Sequence, residues 1–264
     1  MQKWLSLILV LMISLAGGSL VSAQGGGTLE LDQWIEGELS TSDCVHTYTF
    51  QGAAGQLMLI EGLARPGTYD LDPAVVLADS AGNVVASNDD GMGLNALIAL
   101  ELPAEDEYSV TIIPGGLYLM QNDTTAPLSN WALDCSPDDS YGAYSLRVRA
   151  VEPMVPGSSA EAAVYSVAEK DLPNIFVFRP DSSVTWGISF TQPESELHAQ
   201  FQMTKMPEGD MVFDLGETNG LRSGTLNVAL EGGAVYVLVV NQSFFSFVFD
   251  DMSIPITINV TEAQ

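Results

Sequence analysis

The sequence predicts an all-β chain built as two tandem β-sandwich, jelly-roll-like domains. Three observations predict it. Apolar and polar residues alternate with period two along short segments, turn-forming residues separate those segments, and one order of segments occurs twice. In Tyr144-Ser145-Leu146-Arg147-Val148-Arg149-Ala150 the apolar residues fall on even numbers and the polar ones on odd numbers. That pattern puts one face of a strand on a core and the other in water. Tyr108-Ser109-Val110-Thr111-Ile112 alternates in the same way, whereas Ala74–Ala78 and Ala96–Leu102 read as strands buried more deeply. Asp79-Ser80-Ala81-Gly82-Asn83 is turn chemistry between two such runs.

From the N-terminus, residues 1–23 have the three parts of a secretory signal. Lys3 is the basic start, Leu5 to Ala16 the apolar middle, and Val21 and Ala23 the small residues before a cut at Gln24. Gly17, Gly18 and Ser19 interrupt the apolar run, which argues against a membrane span. The processed chain is expected outside the cell or in the periplasmic or cell-envelope space, without membrane insertion. Residues 24–28, with Gly25, Gly26 and Gly27, read as a flexible leader. A first sandwich is expected over 29–151, a Pro/Gly/Ser linker over 152–160 and a second sandwich over 161–264.

The halves align in order. His46–Phe50 matches Asn174–Phe178, and the strands around Leu57–Ile60 and Trp186–Phe190 follow. Asn95–Leu100 then parallels Gly224–Leu230, Tyr108–Ile113 parallels Tyr236–Asn241, and Tyr144–Ala150 parallels Pro255–Val260. This reads as duplication of one sandwich, against the plainer reading that any two alternating β domains align in part.

Charge narrows the partners. The 264 residues hold 34 Asp+Glu against 8 Lys+Arg, a net −26, with 47% hydrophobic residues for the cores. Such a surface repels phosphate backbones and anionic lipid, so no nucleic-acid partner is expected. An extracellular protein or polysaccharide remains, and acidity also serves plain solubility. The two cysteines, Cys44 and Cys135, predict a disulfide in an oxidising compartment. Two free thiols are the alternative, and a nucleophilic Cys44 beside His46 is a third reading.

Two constellations stand out. Asp70 and Asp72 share a face of an extended segment, and Asn88, Asp89 and Asp90 follow one hairpin later. If the loops meet, they offer oxygens to calcium. The competing reading is turn chemistry, in which Asp and Asn bond their own backbone. The second constellation is a loop of about 28 residues before Gly142, long enough to suggest function. It carries Tyr118, Met120, Trp131 and Cys135, either as a contact platform pinned by the disulfide or as a cover for the core. Phe244, Phe245, Phe247 and Phe249, followed by Asp250 and Asp251, read as a buried strand with acidic gatekeepers. No nucleophile elbow, zinc-binding helix motif or phosphate loop occurs, and the two histidines, His46 and His198, read as surface or half-buried strand residues. No catalytic residue is assigned.

Four blocks, YTFQGAAGQLMLI, DLDPAVVLADSAGNVVASNDD, LPAEDEYSVTI and YGAYSLRV, cover most of residues 45–150 in order. In them the first half resembles the bacterial pre-peptidase C-terminal (PPC) domain, and the second half resembles it in strand order as a degenerate repeat. The resemblance implies a β-sandwich on exported proteins that serves secretion, targeting or substrate attachment without catalysis. Leu29-Glu30-Leu31-Asp32 stands where that family often has an acidic Glu-Pro-Asn-Asp leader, and no peptidase domain accompanies the module here. The function expected is a secreted, non-catalytic binding, adhesion or targeting module. The alternatives are a calcium-stabilised structural domain of the cell envelope, an accessory subunit or inhibitor of a secreted peptidase, and, last, a hydrolase.

Overall fold

The computed structural model describes residues 25–65, 71–165, 173–194, 199–207, 209–215, 222–242 and 253–263. The signal-like segment, Asp70, His198 and the phenylalanine run after Ser243 lie outside the described residues. The chain is a stack of four sheets. In the first half the strands are β1 (Gly26–Thr28), β2 (Trp34–Leu39), β3 (His46–Gly52), β4 (Leu57–Ala64) and β5 (Pro73–Ala78). They continue with β6 (Val84–Asn88), β7 (Gly91–Leu94), β8 (Ala96–Glu101), β9 (Asp106–Pro114) and β10 (Gly142–Ala150). The second half has β11 (Ser159–Tyr165), β12 (Asn174–Phe178), β13 (Val184–Thr191) and β14 (Ala199–Met206). It ends with β15 (Asp210–Leu215), β16 (Ser223–Leu230), β17 (Val235–Gln242) and β18 (Ser253–Glu262).

The sheets run β1-β3-β9-β5-β6 and β2-β10-β4-β8 in the first half, and β12-β17-β14-β15 and β11-β18-β13-β16 in the second. Apart from β1, the second half repeats the order of the first, strand for strand. The segments aligned above occupy equivalent places: β3 with β12, β4 with β13, β8 with β16, β9 with β17 and β10 with β18. Each half encloses its own apolar layer. Tyr48, Phe50, Ile60, Val110 and Leu146 fill the first, and Phe178, Trp186, Phe201, Leu238 and Ile256 the second.

A third apolar layer joins the halves. Leu57, Leu59, Leu63, Leu97 and Ala99 on the outer face of β4 and β8 pack on Val177, Val235, Val237 and Val239 of β12 and β17. Strand β4 is therefore buried on both faces, which is why LMLIEGLA is a nearly continuous apolar run with no alternation. Its one charge, Glu61, is 0% exposed. Arg147 grips it in a fork, Nε and Nη2 at 2.8 and 2.9 Å from its two oxygens, and Arg149 Nε donates to it at 3.1 Å. The Arg147 guanidinium lies 4.3 Å over the Trp34 ring. Two of the chain's few cations are thus spent on one buried carboxylate at the side of the layer.

Two expectations change. The glycine leader is a strand: Gly26, Gly27 and Thr28 pair in parallel with Thr47, Tyr48 and Thr49. A Cβ on Gly26 would sit 2.5 Å from the Thr47 carbonyl oxygen, so glycine at this position permits a close approach. The Pro/Gly/Ser linker is docked, with Met154 N donating to Val177 O at 2.7 Å and Gly157 N to Val260 O at 2.8 Å.

Replacing Glu61 by Ala leaves two arginines without their shared carboxylate, and an expected loss on the order of 3–5 kcal/mol follows. Leu59→Ala, on the joining layer, is expected to cost about 2–5 kcal/mol. Urea unfolding of both variants checks these values, and both halves are expected to melt in one transition.

Candidate functional site: the anchored loop and the acidic end

Residues 115–141 form a strap across the outer face of the β1-β3-β9-β5-β6 sheet. It starts with a short helix, α1 (Gly115–Leu119), and includes a single 3-10 turn at Leu128–Asn130. Under it Leu117 and Trp131 pack against Ala74, Val76 and Ile113. That cover explains why every residue of β5 is buried. The Cys44–Cys135 disulfide fastens the strap to the start of β3, with a Cα separation of 5.8 Å. Two internal bonds and one to the β5–β6 turn stiffen it: Gln121 Nε2 donates to Leu117 O at 2.6 Å, Trp131 Nε1 to Ala126 O at 3.1 Å, and Leu128 N to Gly82 O at 3.0 Å.

The three loop residues singled out from the sequence part ways. Trp131 is 8% exposed and turns inward, and Tyr118 lies beside it with ring centroids 6.0 Å apart. Tyr118 also reaches Ser87, hydroxyl to hydroxyl, at 3.3 Å. Both belong to the cover of the sheet and not to an open platform. Met120 faces water at 58% exposure, and so does Leu119, which sequence reasoning missed, at 72%. An apolar pair on a rigid surface element is thus what the strap presents. The signal for Leu119 was weak, because one leucine next to a methionine is ordinary in a core.

At one end of the strap lies the acidic group. Gly115 N donates to Asp72 O at 2.6 Å. A Cβ on Gly115 would lie 2.9 Å from Asp72 Oδ2, and one on Gly116 2.5 Å from Asp139 Oδ1, so this glycine pair lets two carboxylates close on the backbone. Burial, and then the charges of Asp90 and Asp89, hold the Asp72 carboxyl above the usual carboxylate range. Burial and Asp90 raise Asp89 likewise. The charges of Asp89 and Asp90 thus act on the Asp72 carboxyl from across the turn. Asp72 Oδ1 is buried with no hydrogen-bond partner. Asn88 plays another part: its carboxamide oxygen accepts Gly91 N at 2.6 Å and Leu97 N at 3.0 Å, which makes it a turn residue. Among the described residues no group of three or more Asp, Glu, His or Cys is arranged to hold a metal ion.

His46 is not at the surface. It is 2% exposed, with Nδ1 2.7 Å from the Tyr144 hydroxyl, which is 2.7 Å from the Tyr48 hydroxyl. Its Nε2 is 3.3 Å from Asp43 Oδ2. Burial raises both phenols, so they stay neutral and serve as hydrogen-bonding groups. Gly37 makes room, since a Cβ there would meet the Tyr144 oxygen at 2.3 Å. Cys44 is spent in the disulfide, so the pairing of a Cys44 nucleophile with His46 does not exist.

No protein-family model matches the chain, and no curated protein matches it. Solved structures similar to it include the pre-peptidase C-terminal domain of a Bacillus anthracis collagenase. That domain is 18% identical, with 48% of this chain and 97% of that one covered and a TM-score of 0.34. The Aeromonas hydrophila periplasmic inhibitor of g-type lysozyme is 12% identical over 47% of this chain and 95% of its own, at 0.33. Tandem carbohydrate-binding modules of a Streptococcus pneumoniae glycoside hydrolase are 8% identical over 88% and 85%, at 0.23.

Two outcomes follow. Replacing both cysteines by Ala is expected to cost up to about 4–5 kcal/mol, the chain-entropy ceiling for so long a loop, read by denaturant unfolding. Asp72 and Asp89 have native pKa values above the ordinary 3.8, so they oppose folding once ionised. Asp72→Asn is therefore expected to raise the melting temperature at neutral pH. The gain should shrink to nothing as pH falls below about 4, where wild type is protonated in both states.

Proposed function

We propose that this chain is a secreted, non-catalytic binding module that contacts an extracellular protein or polysaccharide through its disulfide-anchored strap. The observation that carries the reading is the exposed pair Leu119 and Met120 on a segment whose other large side chains face inward. Exposed apolar side chains on a rigid scaffold lose little conformational entropy on binding. Methionine adapts its shape to varied partners. The net −26 around the pair favours a partner that is neutral or basic. The secretory signal read at the N-terminus and the PPC blocks support the same reading.

A second reading is a calcium-stabilised envelope domain. The buried, unpartnered Asp72 Oδ1, whose carboxyl feels the charges of Asp89 and Asp90, favours it. The described residues do not by themselves complete such a site, so Asp70 is the ligand this reading still requires.

A pull-down from culture supernatant and a glycan array, each with wild type and Leu119→Ser/Met120→Ser, test the first reading. Capture by wild type that falls about tenfold or more in the variant, at unchanged melting temperature, is expected. Equal capture by both, or none, would sink the proposal. Thermal melting with calcium and with chelator tests the second: a calcium-dependent rise that Asp72→Asn abolishes supports it, and identical curves remove it.

A further inference from the structure

We infer that β16 is a free pairing edge through which two copies of this chain join antiparallel into one continuous eight-stranded sheet. An exposed edge strand offers a row of unpaired N–H and C=O groups, and proteins normally block it with charge, proline, a bulge, short length or a cover. Among the described residues, seven of the eight sheet edges are so protected. Strand β1 has three residues, and β2 carries Glu36 and Glu38. At β6 a register break interrupts the pairing with β5, and at β15 another interrupts that with β14. Asn88 takes the Leu97 amide of β8. Met154 bridges to β12, and the Asn174 side chain bonds both backbone groups of Ala163 on β11.

Strand β16 has none of these devices. Ser-Gly-Thr-Leu-Asn-Val-Ala-Leu holds eight residues without charge or proline, paired with β13 from Ser223 to Leu230 in unbroken register. Among the described residues no hydrogen bond reaches its outer edge. The sheet face beside it is nearly neutral as well: among outward positions of β11, β18, β13 and β16, Glu161 is the only charged residue. Most others are Thr, Ser, Asn or Ala, with Thr185, Thr191, Thr225 and Asn227 exposed.

The occupant follows from charge and symmetry. Two chains of net −26 repel except where neither presents carboxylates, and this edge is such a place. A twofold axis normal to the sheet pairs β16 with itself, which closes the assembly as a dimer. The same axis sets the Arg222 end of each strand, where Arg222 pairs with Glu194, near the Glu231 end of the other copy, where Glu231 pairs with Lys205, so the strand ends meet as balanced ion pairs. This inference stands apart from the strap and its ligand.

Sedimentation of the purified chain over a concentration series, at low and high salt, combined with amide hydrogen exchange, tests it. A dimer strengthened by salt is expected, with alternate β16 amides protected as it forms. Thr225→Glu/Asn227→Glu sets like charges opposite each other in either central register and should weaken association about tenfold or more, with circular dichroism unchanged. Ser159→Glu, on the opposite edge, should leave it unaltered. A monomer at every concentration and salt overturns the inference. So does a dimer that ignores the double variant, or one that leaves β16 amides unprotected.

Discussion

The contact on which this architecture turns is the apolar layer between the two halves. A β-sandwich needs one buried face per sheet, and its other faces can meet water. Here β4, β8, β12 and β17 are buried on both faces, because Leu57, Leu59 and Leu97 of one half meet Val177, Val237 and Val239 of the other. The two sandwiches therefore share a core and act as one body. The Glu61–Arg147–Arg149 cluster lies at the side of this layer. Buried ion groups of this kind add little net stability and a great deal of positional demand, since a shifted partner leaves a charge stranded.

The repeat treats equivalent faces unequally. The outer face of the β12-β17-β14-β15 sheet is covered by the first half. Its counterpart in the first half, around Ala74, Val76 and Ile113, is covered by the strap. One apolar face thus finds cover from a whole sandwich and the other from 27 residues and a disulfide. The second pair of equivalent faces is handled by composition. Where β4 and β8 present Leu57, Leu59 and Leu97, the corresponding strands β13 and β16 present Ser189, Thr191, Thr225 and Asn227.

Much of the fold was legible because alternation is a local signal. Tyr144–Ala150 and Tyr108–Ile112 read as strands from their own side chains, and the repeated order placed their counterparts. The deep burial of β5 and β8 was legible too, from Ala74–Ala78 and Ala96–Leu102, but not their cover, since an apolar run does not say what lies on it. The glycine leader was misread for a related reason: Gly26 looks flexible until Thr47 lies against it. His46 was misplaced because its burial rests on Tyr144, 98 residues away, and on the space left by Gly37. At the site, the choice between cover and platform for Trp131 could not be made from residue type, as an indole suits both. Asp72 feels the charges of Asp89 and Asp90, whereas Asn88 was claimed by its own turn.

The strap has a consequence for the number of sandwiches. Two stacked units that dock front to back form a contact that does not close on itself, and such head-to-tail contacts propagate into fibres when both terminal faces stay sticky. The strap covers one terminal face and the hydroxyl-rich sheet leaves the other with little apolar surface. Together they act as stoppers that leave neither terminal face suited to front-to-back docking.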